Sequence, residues 1–397
     1  MSEKADKLKR WANIWRSQFK ALKMENLRPS KSDNNAVVLI KMDAIGDFLI
    51  WLDSASQYPK IYKGKKLTLI CNAVCEEIAK HTGLFDEIIP INSRRFEADN
   101  KYKKEILQKA KNLSFDILQQ TEFSRTLDMD ILAYNIPAGR KIAFKADDSR
   151  MNLSRYITFK RIRKKLDAAY DMLIPSTPGR LMELERNAEF IRGLGCEFQA
   201  GFPELPKSED IDKDIIPPSP YAVIFPGGSS KKKMWPIERY AQTGEHIVRE
   251  KNMDIYLCGG KNEEYLFDSF MERITDSAVK ARIHNYFGKT SLLELAEVIR
   301  NARLLISNDT SGIHFAAATD TKGICMYGEF DYGRFLPYKC ERECPGHNPV
   351  IICSAGMKCA GCSGNGGITP ECRKNLSKTG RYLCIDNISV EQVIEQI

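Results

Sequence analysis

Leu305-Ile306-Ser307-Asn308-Asp309-Thr310-Ser311-Gly312-Ile313-His314-Phe315-Ala316-Ala317-Ala318 joins an apolar run to a polar turn, and the turn to an Ala-rich helical stretch. A strand that ends in such a turn and restarts as a helix aims unpaired backbone N–H groups and a helix dipole at one spot. That spot is suited to a phosphate or a sugar at the carboxyl end of a strand. Taken alone, the turn reads more simply as a helix cap supplied by Asp309 or Thr310. The rest of the chain decides between the two readings.

At 397 residues the chain is long for one domain and implies two or three. Hydrophobic residues at 43% and charged residues at 28% are ordinary for a globular protein and exclude a largely disordered one. Met1 to Leu22 contains no uninterrupted apolar core of a signal peptide, and no apolar run is long enough to span a bilayer. A cytoplasmic location is expected. Twelve cysteines in a reducing compartment then point to thiols or metal ligation rather than a disulfide framework. The net charge of +8 favours anionic partners without choosing among nucleotides, phospholipid surfaces and nucleic acid.

Outward from the opening stretch, short apolar runs alternate with helical ones. Ala36 to Met42, Leu67 to Cys71, Ile88 to Ile91 and Phe115 to Leu118 read as strands, with Cys75 to Thr82 and Tyr102 to Lys111 as helices between them. After a Pro-rich stretch from about Gly201 to Pro220, which reads as a linker, the alternation restarts. Tyr221 to Phe225, Asp254 to Cys258, Leu304 to Ser307 and Gly323 to Tyr327 are strands, the last completing the second sheet, and Pro236 to Lys251 is a helix with Pro in its first turn. Ser291-Leu292-Leu293-Glu294 is a capping box. Strand-helix alternation of this kind makes parallel sheets with crossover helices. The expected organisation is a basic amphipathic segment over 1–35, Rossmann-like domains over 36–205 and 206–338, and a Cys-rich tail with a closing helix over 339–397. Two doubly wound halves place a ligand cleft between their switch points.

Neither glycine-rich loop carries a nucleotide-binding Gly-x-Gly-x-x-Gly or a phosphate loop with a built-in lysine, which argues against dehydrogenases and kinases. Pro226-Gly227-Gly228-Ser229 still admits close backbone approach to a ligand. Lys233, just before Trp235-Pro236, sits where a loop becomes a helix and can set an ammonium against a diphosphate. Asp47, directly after Gly46 and the first strand, is placed to accept a proton, although a carboxylate in a first helical turn also suits the dipole. Asp128-Met129-Asp130 looks superficially like a metal-binding pair and reads as a chance match.

In combination, Val38-Leu39-Ile40-Lys41 with Ile45-Gly46-Asp47, Pro226-Gly227-Gly228-Ser229 with Lys233-x-Trp235-Pro236, Gly259-Gly260-x-x-Glu263, Phe287-Gly288-Lys289-Thr290-Ser291-Leu292 and Asn308-Asp309-Thr310-x-x-x-His314 resemble glycosyltransferase family 9. That family comprises the bacterial ADP-heptose:lipopolysaccharide heptosyltransferases and their relatives, and the resemblance covers roughly Ala36 to Tyr327. It implies a GT-B, α/β architecture with an N-terminal acceptor domain, a C-terminal nucleotide-sugar domain and metal-independent, inverting transfer without a catalytic cofactor. By resemblance, Asp47 is the general base, Lys233 meets the donor phosphates and Glu263 lies near the ribose. Asp309 holds the donor sugar, with Thr310 and the neighbouring amides of Ser311 and Gly312 on the diphosphate. Gly227, Gly228 and Ser229 complete the donor loop. Ser311 departs from the glycine of many members, which bears on donor identity.

Seven cysteines, Cys340, Cys344, Cys353, Cys359, Cys362, Cys372 and Cys384, crowd the tail. Cys359-Ala360-Gly361-Cys362 has metal-ligand spacing, and Cys372 and Cys384 can complete a four-thiolate zinc or iron site. Reduced thiols in a polar loop explain the same residues equally well. The tail is also similar to that of autotransporter heptosyltransferases, which carry a cysteine-bound iron, so protein O-heptosylation stands as an alternative to a lipid-linked acceptor. Ile385 to Ile397 carries an apolar pattern at Ile388, Val390, Val393, Ile394 and Ile397, and in the architecture the resemblance implies a final helix crosses back to brace the first domain. Near the start, Leu8, Trp11, Trp15, Phe19 and Leu22 form an apolar stripe among basic residues, suited either to peripheral contact with the inner membrane surface or to packing on the protein body. Lys160 to Lys165 suits an acidic acceptor or a solvated face. A non-catalytic, metal-stabilised nucleic-acid binder leaves Asp47, Lys233 and Asp309 unexplained, and nucleic acid is not expected as a partner.

Overall fold

β1 (Ala36–Lys41) is buried along its whole length, as a strand flanked by helices on both faces must be. The computed structural model describes residues 25–29, 35–145, 160–218, 220–340, 342, 347–359, 361–362 and 368–397. The apolar stripe from Leu8 to Leu22 lies outside them. β1 pairs in parallel with β2 (Lys66–Asn72) and β4 (Phe115–Gln120), and the first sheet runs β3-β2-β1-β4-β5-β6 with β3 (Glu87–Ile91), β5 (Ala138–Phe144) and β6 (Met172–Ile174).

The second sheet repeats this plan. β7 (Tyr221–Phe225), β8 (Asp254–Leu257), β9 (Ile283–Asn285), β10 (Leu304–Asn308), β11 (Gly323–Met326) and β12 (Val350–Cys353) are ordered β12-β11-β10-β7-β8-β9, all pairs parallel. Counted from its own first strand, each sheet has the doubly wound order 3-2-1-4-5-6. The architecture is therefore the GT-B α/β fold. The chain divides into two units: Met1–Phe48, Ser54–Gly179 and Glu185–Gln199 form the first, and Leu49–Asp53, Arg180–Leu184 and Ala200–Ile397 the second.

Three expectations change. Gly323 to Tyr327 does not complete the second sheet, because β12, drawn from the cysteine-rich tail, pairs outside it in register Cys325↔Ile352. The closing helix, Val390–Ile394, belongs to the second unit, where Ile388 and Val393 are buried in the core with Trp235 and Tyr240. The Pro-rich stretch is docked rather than free: Leu205 N–H donates to Ala318 O at 2.8 Å, and Ser208 N–H to Glu297 at 2.9 Å.

β5 went unread because it carries Arg140 and Lys141. Lys141 is nevertheless buried, and its ammonium donates to Ala133 O at 2.7 Å and Asn26 at 2.8 Å. Its pKa is pushed down to about 7, chiefly by burial and then by Arg28. Among the described residues no helix is long and apolar enough to cross a membrane.

Candidate functional site

In a doubly wound sheet, ligands meet the carboxyl ends of the two strands between which the winding reverses. In the second unit those strands are β7 and β10, so the loop Pro226-Gly227-Gly228-Ser229 and the turn Asn308-Asp309-Thr310-Ser311 are neighbours by topology. Asn308, 1% exposed, joins them. Its amide donates to Pro226 O at 2.7 Å and Gly227 O at 3.0 Å, and its carbonyl accepts from Trp235 N–H at 2.8 Å. One side chain thus fixes the glycine loop and the entry to α2 (Ile237–Glu250), to which Pro236 is the N-terminal cap rather than the first-turn residue.

Thr310 occupies the N-cap position of α4 (Ser311–Ala318), the helix following α3 (Leu292–Arg300), but makes no side-chain cap. Its hydroxyl instead pairs with Ser307 Oγ at 3.1 Å. The amides at the start of α4 are therefore not capped by that side chain, as an anion-binding terminus requires. Gly228 lies against Thr310 and Met234, where an added Cβ would stand 3.3–3.4 Å from their side chains. Ser229 is exposed and Ser311 partly so. Gly312 is buried, and its visible role is packing: a Cβ there would press on Phe225 at 2.9 Å.

Glu263 ties two glycine loops together, accepting from Gly228 N–H at 2.9 Å and Gly260 N–H at 3.1 Å. This contact explains Gly227, since a Cβ at that position would fall 2.4 Å from the Glu263 carboxylate. Lys233 does not stand solvated. Its ammonium pairs with Asp331 at 2.9 Å and lies 4.4 Å from the centroid of the Phe330 ring.

The partly covered Asp309 carboxyl is pushed up to about 6 by desolvation, helped by repulsion from Asp331 and against the pull of Lys233 and Arg334. The native state therefore keeps a proton that the unfolded chain has lost between about pH 4 and pH 6. Stability falls as pH rises through that window and stays lower above it, on the order of 2 kcal/mol for a shift of this size. Asp309→Asn is expected to be more stable than wild type at pH 7.5, with the gap shrinking steadily towards pH 4.5. Denaturant melts at three pH values read this directly, and a gap independent of pH would contradict it.

The first unit has an equivalent switch point between β1 and β4. Asp47 lies in the first turn of α1 (Ile45–Ala55), and three contacts hold the loop leading to it. Met42 N–H donates to Glu122 Oε1, Ser93 Oγ donates to Met42 O at 3.0 Å, and Asn72 donates to Asp43 O at 3.1 Å. Lys41, the one charge in β1, is 3% exposed and pairs with Asp43 at 2.7 Å. Burial opposes its charge, but Asp43, Glu122 and Asp47 outweigh it and hold its pKa above the usual value. The Glu122 carboxyl is also held above its usual range, first by burial and then by Asp43, and its Oε2 has no hydrogen-bond partner among the described residues.

Sequence reasoning assigned no role to Lys41, Asp43, Glu122, Asn308, Phe330 or Asp331. A lysine inside an apolar strand and a glutamate just past one were the available signals. Asp128 and Asp130 hold no common ion: Asp128 pairs with Lys103 at 2.8 Å, and Asp130 with buried Arg125 at 3.0 Å.

In the tail, Cys359, Cys362, Cys372 and Cys384 line a single cavity of about 10 Å³ together with Phe330 and Tyr382. That is room for one water-sized body. The donor set suits zinc or iron, yet as the side chains stand, no three of His, Cys, Asp or Glu among the described residues are placed to ligate one ion. Burial pushes the Cys384 thiol up to about 12. Cys353 lies apart, its thiol donating to Gln392 O at 3.7 Å, and His347 pairs with Asp320 at 2.8 Å.

Two doubly wound sheets, each with loops at its switch point, define the GT-B architecture. The chain belongs to glycosyltransferase family 9 (heptosyltransferase), whose model matches residues 137–356. It is 26% identical over 315 residues to the lipopolysaccharide core heptosyltransferase OpsX of Haemophilus influenzae, covering 76% of this chain and 82% of that protein. Among solved structures, ADP-heptose lps heptosyltransferase II of E. coli aligns with a TM-score of 0.61 at 15% identity, over 91% of this chain and 97% of that one. E. coli heptosyltransferase WaaC with ADP-2-deoxy-2-fluoro heptose aligns with a TM-score of 0.58 at 18% identity, over 87% and 99%. These likenesses to solved structures show the fold. At the level of the family, the chain is a heptosyltransferase of the lipopolysaccharide core type.

Proposed function

We propose that the protein transfers a heptose-like sugar from ADP-heptose to a lipopolysaccharide core acceptor, with inversion at the anomeric carbon and without a catalytic metal. The observation that carries this reading is the second unit's switch point, where Lys233, the Gly227-Gly228 loop and the start of α4 surround Asp309. Lys233 and the amides at the start of α4 are the fixed cationic and N–H groups a departing diphosphate needs, and the glycine loop lets the ligand approach closely. The structure of WaaC with ADP-2-deoxy-2-fluoro heptose supports the donor.

In this mechanism Asp47 accepts the proton of the acceptor hydroxyl as its oxygen attacks the anomeric carbon, and the ADP oxygen leaves with the bond electrons. Asp309 holds the sugar. Lys233, the Gly228 loop and the α4 amides of Thr310, Ser311 and Gly312 stabilise the diphosphate. Glu263 acts at the ribose end through the two glycine loops it ties. We place the enzyme in the cytoplasm, with the N-terminal basic segment in peripheral contact with the inner membrane. Cys359, Cys362, Cys372 and Cys384 would hold a structural zinc or iron, which would cross-link the tail when bound.

The test is transfer from ADP-, UDP- and GDP-linked sugars to a core acceptor lacking its terminal heptose, with product configuration read by NMR. ADP-heptose is expected to be the preferred donor, and excess chelator is expected to lower the rate several-fold at most. Preference for a UDP- or GDP-sugar would overturn the donor assignment, and complete loss in chelator would overturn metal-independent transfer.

A further inference from the structure

The thiol cavity and the Lys233 site share their walls. Phe330, 2% exposed, lines the cavity and also lies under the Lys233 ammonium. Its neighbour Asp331 holds that ammonium at 2.9 Å. Glu329, Phe330 and Asp331 form one 3-10 turn, so the ring cannot shift without carrying the carboxylate.

The turn is fastened to the cysteine loop. Gly361 N–H donates to Glu329 O at 2.5 Å, and Arg180 donates to both Tyr332 O and Gly361 O at 2.8 Å. The backbone of Lys233 is held from the same side. Tyr382 N–H donates to Lys232 O at 3.0 Å, and Arg381 Nε to Met234 O at 3.1 Å. The carbonyls immediately before and after Lys233 are thus gripped by two consecutive tail residues. Tyr382 also lines the cavity, and its ring centroid lies 5.0 Å from that of Phe330.

We propose that the four-thiol cavity is a positioning device for Lys233, acting through Phe330, Asp331 and Tyr382, so that its state sets how tightly a nucleotide diphosphate is held. This inference rests on the reading of Lys233 as a diphosphate ligand. Four thiols that close on a divalent cation release their protons to solvent and draw their sulfurs to about 2.3 Å from one centre. Because the cysteines as placed do not share such a centre, closing must move at least one of the segments that carry them, and Gly361, between Cys359 and Cys362, is hydrogen-bonded to the turn that holds Asp331. Phe330 and Asp331 are positioning residues, since they touch Lys233 and not the substrate.

The test uses the full chain, stripped with chelator under reductant and then given Zn²⁺ or left without it. Lys233 acylation is read by mass spectrometry against its exposed neighbours Lys231 and Lys232, and ADP affinity by calorimetry. Zinc is expected to change the Lys233-to-neighbour ratio at least threefold and to tighten ADP about fivefold, a span consistent with a shielded cation–π and ion-pair contact. Cys359→Ser with Cys362→Ser is expected to abolish both responses. Phe330→Leu is expected to keep zinc binding while the Lys233 ratio stops responding. Where the double variant fails to fold, the wild-type comparison with and without zinc decides alone.

A Lys233 ratio indifferent to zinc overturns the proposal, whether or not ADP binds. A responsive Lys233 in a protein that binds no ADP in either state supports the coupling and overturns the donor reading instead.

Discussion

Asp47→Ala is expected to lower kcat by about 10³-fold while leaving the Kd for ADP within about twofold, the range associated with losing a general base. The local structure explains the separation of effects. Asp47 sits on the first turn of α1, and the loop before it is pinned by Glu122, Ser93 and Asn72 through backbone contacts that the substitution does not touch. The groups read as holding the diphosphate, Lys233 and the β7 and β10 loops, belong to the second unit. Saturating donor with steady-state kinetics gives kcat, and calorimetry gives ADP affinity. Near-normal turnover in the alanine variant would remove Asp47 from the mechanism, whereas a large loss of ADP affinity would make it a donor-site residue. Asp47→Asn, which keeps size but cannot take the proton, is expected to match the alanine variant in rate.

Asn308→Leu is expected to destabilise the protein by about 3–5 kcal/mol and to abolish measurable ADP binding. The side chain is buried and satisfies three backbone groups: Trp235 N–H, Pro226 O and Gly227 O. Leucine nearly matches its volume but satisfies none, and each buried polar group left unpaired costs roughly 1–3 kcal/mol. Relaxation of the exposed side of the glycine loop offsets part of the sum. Denaturant unfolding reads the stability, and the Asn308→Asp variant separates the contributions because it can still accept from Trp235 but cannot donate to the loop. A leucine variant of wild-type stability would show that the three backbone groups find other partners.

Much of the second sheet could be read in the chain. Tyr221–Phe225 and the capping box at Ser291 follow from local chemistry: an apolar β-branched run in one case, and a reciprocal Ser–Glu pair that the structure forms at 3.2 and 2.7 Å in the other. β5 and β12 could not be read this way. Lys141 and Arg140 disguise the first as surface, and the second is a four-residue run inside a cysteine-rich segment. Both are strands because a neighbour, β4 or β11, supplies the hydrogen-bonding edge.

The chain by itself determined the family and the two doubly wound sheets, and it singled out Asp47, Lys233, Glu263 and Asp309 as candidates, because motifs and periodicity are written in local order. What those residues touch was decided by tertiary structure alone. Glu263 binds two glycine loops, Lys233 rests on Phe330 and Asp331, Glu122 accepts from the backbone of the Asp47 loop, and the tail cysteines wall the lysine's support. Lys233 and Asp331 are 98 positions apart, and the cysteine tail lies farther still. A sequence carries no record of such contacts until the second sheet brings the carboxyl ends of β7 and β10 side by side.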